Sequence, residues 1–370
     1  MRVATSSRAV QAPVDHLEVA AYQVPTDAPE ADGTLSWNET TIVVVTAHGG
    51  GEAGLGYTYA DTSTATLVQS KLADIVSGLD AMAPQAAWRA MVGAIRNLGR
   101  PGISSMAIAA VDTALWDLKS RLLGLPLCRL LGMVRDSAAV YGSGGFTSYS
   151  TVRLQEQLAA WVERGIPRVK MKVGSHPDDD PARVRCARAA IGPNVELFVD
   201  ANGAYSRKQA GALAERFQAE ADISWFEEPV SSDDLEGLRL LRDRGPAGVA
   251  IAAGEYGYDA VYFERMVGAV DVLQADVTRC AGITELLRVD SISGSHGVPL
   301  SLHCGPAIHL HPALALDRFV HIEYFHDHTR IEQLLFDGVA AARDGALWPD
   351  LSQAGNGLEL KRADAERYAA

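Results

Sequence analysis

Cysteine is scarce in this chain: four in 370 residues, Cys128, Cys186, Cys280 and Cys304, with no CxxC pair. Such usage fits a reducing compartment better than a disulfide framework. Positive charge is also short, with 33 Lys and Arg against 46 Asp and Glu and a net charge of −13. A nucleic-acid surface needs a basic stripe, so no such partner is expected, although a local basic pocket for an anionic substrate stays open. Long apolar runs are missing as well. Nothing approaches a transmembrane helix, and no run of signal-peptide length follows Arg2 and Arg8, so the chain reads as cytoplasmic with no membrane partner. What remains is the composition of a soluble enzyme, 48% hydrophobic and 21% charged, long enough for one large barrel domain and a smaller one.

Along the chain, His16–Tyr22 and Thr41–Ala47 are β-like, separated by a polar loop over Pro25–Asn38. Gly49-Gly50-Gly51-Glu52-Ala53-Gly54 formally matches GxGxxG, but helical periodicity resumes only near Ser63. It therefore reads as a mobile glycine loop rather than a nucleotide fingerprint. Helical segments are expected over Thr64–Ser77, Pro84–Asn97 and Ser104–Leu123, the last with Ile108, Val111, Leu115 and Leu118 on one buried face. This part reads as α+β. From about Ala138 the pattern becomes regular, with apolar β-type runs at Ala139–Tyr141, Arg168–Val173, Leu197–Asp200, Trp225–Glu227, Val249–Glu255, Val272–Asp276, Pro299–His303 and His321–Glu323. Helix starts follow Ser206, Asp233 and Asp259. Strands alternating with helices eight times point to an α/β barrel of the TIM type, active at the carboxyl ends of its strands.

Three of those runs end in an acid, Asp200, Glu227 and Glu255, at intervals the size of one βα unit. Neighbouring strands would bring the three carboxylates together, as a hard cation such as Mg²⁺ requires. Lys170 and Lys172 lie two apart on a strand, so both point inward. Their mutual repulsion lowers the pKa of at least one, which suits a general base. Asp276 and His303 end the next two strands, a pair in which the acid fixes the imidazole tautomer. Asn202 is placed to bond a ligand carboxylate or the substrate, and Glu323 a substrate oxygen, while His309, His311, His326 and His328 read as rim residues. A lysine, a cation and a His–Asp pair suit removal of a proton α to a carboxylate, leaving an enediolate that the cation and Lys170 stabilise.

The ordered motifs Val169-Lys170-Met171-Lys172-Val173-Gly174, Val199-Asp200-Ala201-Asn202-Gly203, Trp225-Phe226-Glu227-Glu228-Pro229, Ala253-Gly254-Glu255, Gln274-Ala275-Asp276 and His303 resemble the enolase superfamily, within it the mandelate racemase-like group. The resemblance implies a modified TIM barrel, (β/α)₇β, at 136–344 under an α+β capping domain from residues 1–135 and the tail at 345–370. It implies Mg²⁺ on Asp200, Glu227 and Glu255, with Lys172 and His303–Asp276 as opposing acid/bases. It also implies Lys170 and Glu323 at the substrate carboxylate, and Trp37, Tyr57 and Tyr59 in cap loops over the substrate. The muconate lactonising-like branch carries a second lysine at the end of strand six, which Asp276-Val277-Thr278-Arg279-Cys280 lacks. Homo-oligomers are usual in the group.

The function expected is that of an acid-sugar dehydratase acting on a small-molecule carboxylate. Its alternative is a racemase or epimerase of an α-hydroxy acid, using the same two groups. From another class comes a catalytically silent barrel that binds a metal or a sugar acid. Metal-dependent hydrolases want His-x-His on strand one, which Ala139-Val140-Tyr141-Gly142 does not offer.

Overall fold

The computed structural model describes residues 12–370, so Arg2 and Arg8 lie outside it. An antiparallel sheet comes first, with β1 (Val14–Ala31), β2 (Ser36–Gly49) and β3 (Glu52–Tyr59) in that order. The expected loop over Pro25–Asn38 is instead the far half of a long hairpin. β1 is an edge strand whose register shifts between Pro25 and Glu30, and a shifted edge is where a strand tolerates proline. The glycine run is no mobile loop either. Gly49 pairs with Glu52 across Gly50 and Gly51, whose φ angles of 62° and 85° give the two-residue turn that matches strand twist. Further along, Gly54 and Gly56 allow β3 to lie directly on the backbone of helix Ile103–Leu122 at Ala110 and Ala114.

That helix is the centre of the smaller core. Ile108, Val111, Leu115 and Leu118 are buried, packed with Val45, Leu72, Trp88 and Met91. The first expected helical segment is broken into Ser63–Leu67, a π turn at Val68–Leu72 and Ala73–Val76, and the second forms helix Pro84–Ala94.

All eight expected runs in the second part form strands: β4 (Ala138–Gly144), β5 (Arg168–Lys172), β6 (Glu196–Asp200), β7 (Ile223–Glu227), β8 (Ala250–Ala253), β9 (Val272–Ala275), β10 (Leu300–Leu302) and β11 (Phe319–Phe325). They are parallel, and β11 pairs back onto β4, closing the barrel. Ser206 forms a capping box with Gln209, and Asp259 caps Ala260–Met266. Helix Leu235–Arg244 is capped by Asp234 rather than Asp233, because it is the Asp234 carboxylate that accepts from Gly237 N. Below the mouth the interior is filled by Tyr141, Phe198, Trp225 and Ala252, with Phe198 and Trp225 stacked at 5.1 Å. This is a packed floor support, not a channel.

After β11, helix His326–Leu335 leads into the tail. Asn356 donates to Leu55 O at 3.0 Å while its own N–H donates to Asp117, and Ala370 N donates to Ala21 O at 3.0 Å. The chain end thus returns to the first sheet. All four cysteines are free thiols. Among the described residues no helix is long and apolar enough to cross a membrane.

Candidate active site

Strand register builds the floor of the site. Lys172 pairs with Asp200, and Asp200 with Glu227, so three polar side chains stand abreast on adjacent strands. Glu255 joins them from just beyond β8. Asp200, Glu227 and Glu255 are buried, and each offers an oxygen within 4.8 Å of the others'. The Glu255 Oε2 atom has no hydrogen-bond partner, although His303 Nε2 stands 3.4 Å away. Charge balance points the same way. Asp200, Glu227, Glu228, Glu255, Asp276 and Glu323 are all buried, and the fixed cations paired to them are Lys170, Lys172 and Arg279. A net-negative, all-oxygen set with an unsatisfied buried oxygen fits a hard divalent cation such as Mg²⁺.

Lys170 is wholly buried, with its Nζ 2.6 Å from Glu227 Oε1, 2.9 Å from Glu323 Oε1 and 3.3 Å from Asp200 Oδ2. Lys172 donates to Asp200 Oδ2 at 2.5 Å and to Asn202 Oδ1 at 3.1 Å. The expected lowering of a lysine pKa is not what this arrangement gives. Burial and Lys170 push Lys172 down, but Asp200, Glu323 and Glu255 outweigh them and hold it above its ordinary value. The carboxylates also divide: burial drives Glu227 up, whereas the two lysines, against burial, hold Asp200 down at about 2.

On the other flank, His303 Nδ1 lies 2.9 Å from Asp276 Oδ2. Burial raises the Asp276 carboxyl, but the imidazole against it brings it below the ordinary range. Asp276 Oδ1 accepts from Thr278 N at 2.7 Å and from its hydroxyl at 2.8 Å, so the acid is fixed in orientation. A carboxylate so held keeps the proton on Nδ1 and leaves Nε2 free. Glu323 accepts from Ser143 Oγ at 2.6 Å and Cys304 N at 3.1 Å besides Lys170. Burial opposes its charge, yet Lys170 and His303 keep it ionised.

The roof is the β1–β2 hairpin. Its tip docks on three barrel strand ends: Thr147 N donates to Ala31 O at 2.8 Å, and Thr147 Oγ1 and Ser175 Oγ donate to Asp32 O at 2.8 and 2.6 Å. Gly33 is so close that a β-carbon there would lie against the carbonyl oxygens of Val173 and Ala201. Between roof and floor is a cavity of about 360 Å³, the size of a small-molecule site.

Lys172, Asn202, Glu255 and His303 line that cavity, as do Trp37 and Tyr59. Trp37 donates to Glu30 Oε2 at 2.9 Å and meets Phe146 edge-on. Tyr57 does not reach the cavity. It is buried one step deeper, donating to Glu332 Oε1 at 2.6 Å and accepting from Ile308 N at 3.1 Å, with its ring stacked on Phe336. Two histidines read as rim residues are structural instead: His309 is buried and accepts from Val277 N at 2.8 Å, and His311 accepts from Cys128 N at 3.2 Å. His328 is a cavity residue, stacked on Tyr59 at 3.4 Å.

Sequence reasoning missed Arg279, whose Nη1 is 3.1 Å from Glu255 Oε1. Its spacing of three from Asp276 was the one signal. It also missed Cys304, with Sγ 3.3 Å from His303 Nε2. Asn202, Glu228 and Cys304, each directly past or near a strand end, have φ of 45°, 35° and 50°, backbone strain of the kind held at functional sites.

Fold and floor together define a class: a capped α/β barrel whose strand ends hold a cluster of three buried carboxylates between a lysine and an Asp-held histidine. Residues 153–365 match the enolase C-terminal domain-like family, and residues 16–132 the N-terminal domain of the mandelate racemase/muconate lactonizing enzymes. The chain belongs to this family of the enolase superfamily. It is similar to a mandelate racemase/muconate lactonizing enzyme-like protein from Rubrobacter xylanophilus, with a TM-score of 0.96 at 60% identity, covering 97% of this chain and 100% of that one. It is 30% identical to the L-talarate/galactarate dehydratase of Salmonella typhimurium, over 80% of this chain and 75% of that protein. A crystal structure of that dehydratase, liganded with Mg and L-lyxarohydroxamate, superposes with a TM-score of 0.89 at 26% identity, covering 100% of this chain and 96% of that one. A 3,6-anhydro-alpha-L-galactonate cycloisomerase from Streptomyces coelicolor is 31% identical over 90% of this chain and 94% of its own length.

Proposed function

We propose that the protein is a Mg²⁺-dependent acid-sugar dehydratase that removes the α-proton of a carboxylate substrate and eliminates water from the β-carbon. One observation carries this reading: Lys172 and His303 approach one carboxylate cluster from different strands, Lys172 against Asp200 and His303 near Glu255. Asp200, Glu227 and Glu255 would hold the cation, which when bound supplies the positive charge that stabilises an enediolate. Lys170 adds fixed positive charge, and Glu323 keeps it in place. One of Lys172 and His303 takes the α-proton, and imidazolium at His303 gives its Nε2 proton to the departing β-hydroxyl, so that water leaves and the enol becomes a 2-keto acid. Asn202 and Trp37 are assigned to substrate contact. Relatives named as dehydratases of galactarate, arabinonate, rhamnonate and galactonate support elimination over racemisation.

The same reading assigns residues 1–135 and 345–370 to the cap and 136–344 to the barrel, supported by the contacts of Asn356 and Ala370 with the first sheet. Placement in the cytoplasm is supported by four free thiols, and a homo-oligomer by the family resemblance. Incubation with Mg²⁺ and a panel of sugar acids tests the reaction. A 2-keto product is expected. Inverted configuration without keto acid means a racemase, and no α-proton exchange with any acid means a silent barrel.

A further inference from the structure

Among the described residues, the lysine and arginine that line the cavity are Lys172 and Arg279, both on the floor. Both are already engaged there, with Asp200 and with Glu255. The capping side contributes Asp32 and Glu39 from the hairpin and Asp61 from just past β3. These three carboxylates have neutral partners: Asp32 Oδ1 accepts from Leu35 N at 2.7 Å, Asp61 Oδ1 from Ser63 N at 2.8 Å, and Glu39 Oε1 from Gln23 Nε2 at 3.2 Å. His328 does not offset them, because burial holds it at about 3 and so neutral. Neutral hydrogen-bonding groups complete the roof. Thr40 and Thr41 line it, and the buried hydroxyl of Tyr59 has no partner.

The two ends of one cavity therefore differ in what they offer an anion: the floor has the carboxylate cluster that fits a divalent cation, and the roof has acids alone. A carboxylate is welcome at the floor beside the cation site. At the roof it would meet three acids and no free cation, and like charges there are a repulsive device against the wrong ligand. Hydroxyl groups meet no such barrier. We infer, on the basis of the dehydratase reading, that the substrate is an aldonate, a monocarboxylic polyhydroxy acid with a neutral far end, and that the roof rejects aldarates. This separates the chain from its talarate/galactarate relative, whose name specifies a diacid.

Matched pairs test this, since an aldonate and its aldarate differ only in the oxidation of the terminal carbon. Dissociation constants would be measured by calorimetry on the Mg²⁺-loaded His303→Asn protein, slowed in turnover, with hexonates and hexarates covering the configurations. The tightest aldonate should bind about 10-fold or more tighter than its aldarate. The gap should shrink as salt is raised, and Glu39→Gln should narrow it. An aldarate binding as tightly as its aldonate, or no aldonate binding in any configuration, overturns the inference. If the preferred aldonate binds but the wild-type protein makes no keto acid from it, the dehydratase reading falls while the charge selection stands.

Discussion

Floor and roof of the cavity are held in contrasting ways. On the floor, Lys170, Lys172, Asp200, Glu227 and His303 are buried, and each is bonded to another charged group on a different strand or strand end. The roof rests on a hairpin tip whose Leu35 is 65% exposed and whose hold on the barrel is a few bonds to backbone carbonyls. Chemistry at an α-carbon needs charges fixed before the substrate arrives, because reorganising them would consume the advantage. Selection of the substrate needs only shape and sign, which a docked hairpin supplies. The floor should therefore govern turnover and the roof affinity.

The largest effect expected is on the floor. Stripping divalent cations with EDTA should lower keto-acid formation about 1,000-fold or more, and added Mg²⁺ should restore it. Activity that survives chelation would break the contrast at its base. A smaller effect belongs to the roof. Gly33→Ala would press a methyl group on Val173 and Ala201 and lift the tip. The expected result is KM raised about 10-fold with kcat within a few-fold and the melting temperature nearly unchanged. A fall in kcat alone would mean that the hairpin takes part in the chemistry. Smallest in kinetics is Tyr57→Phe. Removing its hydroxyl deprives Glu332 of a donor and Ile308 N of an acceptor, which should cost about 1–3 kcal/mol of stability by denaturant titration. Steady-state constants should stay near wild type. A change in KM there would return Tyr57 to the substrate.

The same contrast explains what could be read from sequence. A buried parallel strand is an apolar run that ends where polarity begins, so Asp200, Glu227, Asp276 and His303 marked their own positions, and period two set Lys170 and Lys172 inward. The hairpin gave no such mark. Pro25 and Pro29 are the vocabulary of loops, and only the edge position of β1 and its shifted register make them part of a strand. Tyr57 and Tyr59 share a face, since they are two apart, but periodicity fixes the face and not the depth. Packing against Phe336 and Glu332 took Tyr57 below the cavity. Arg279 was hidden because its partner Glu255 lies 24 residues away in sequence, on another strand end.

The central claim is a floor with two distinct proton-handling groups, Lys172 and His303. It is tested most directly by α-proton exchange in deuterated water with Mg²⁺ and the preferred acid, followed by NMR for Lys172→Ala and His303→Asn. If Lys172 is the base, Lys172→Ala should lose exchange while His303→Asn keeps exchange and makes no keto acid; if His303 is the base, His303→Asn should lose both. Both variants dehydrating at the wild-type rate would contradict the account.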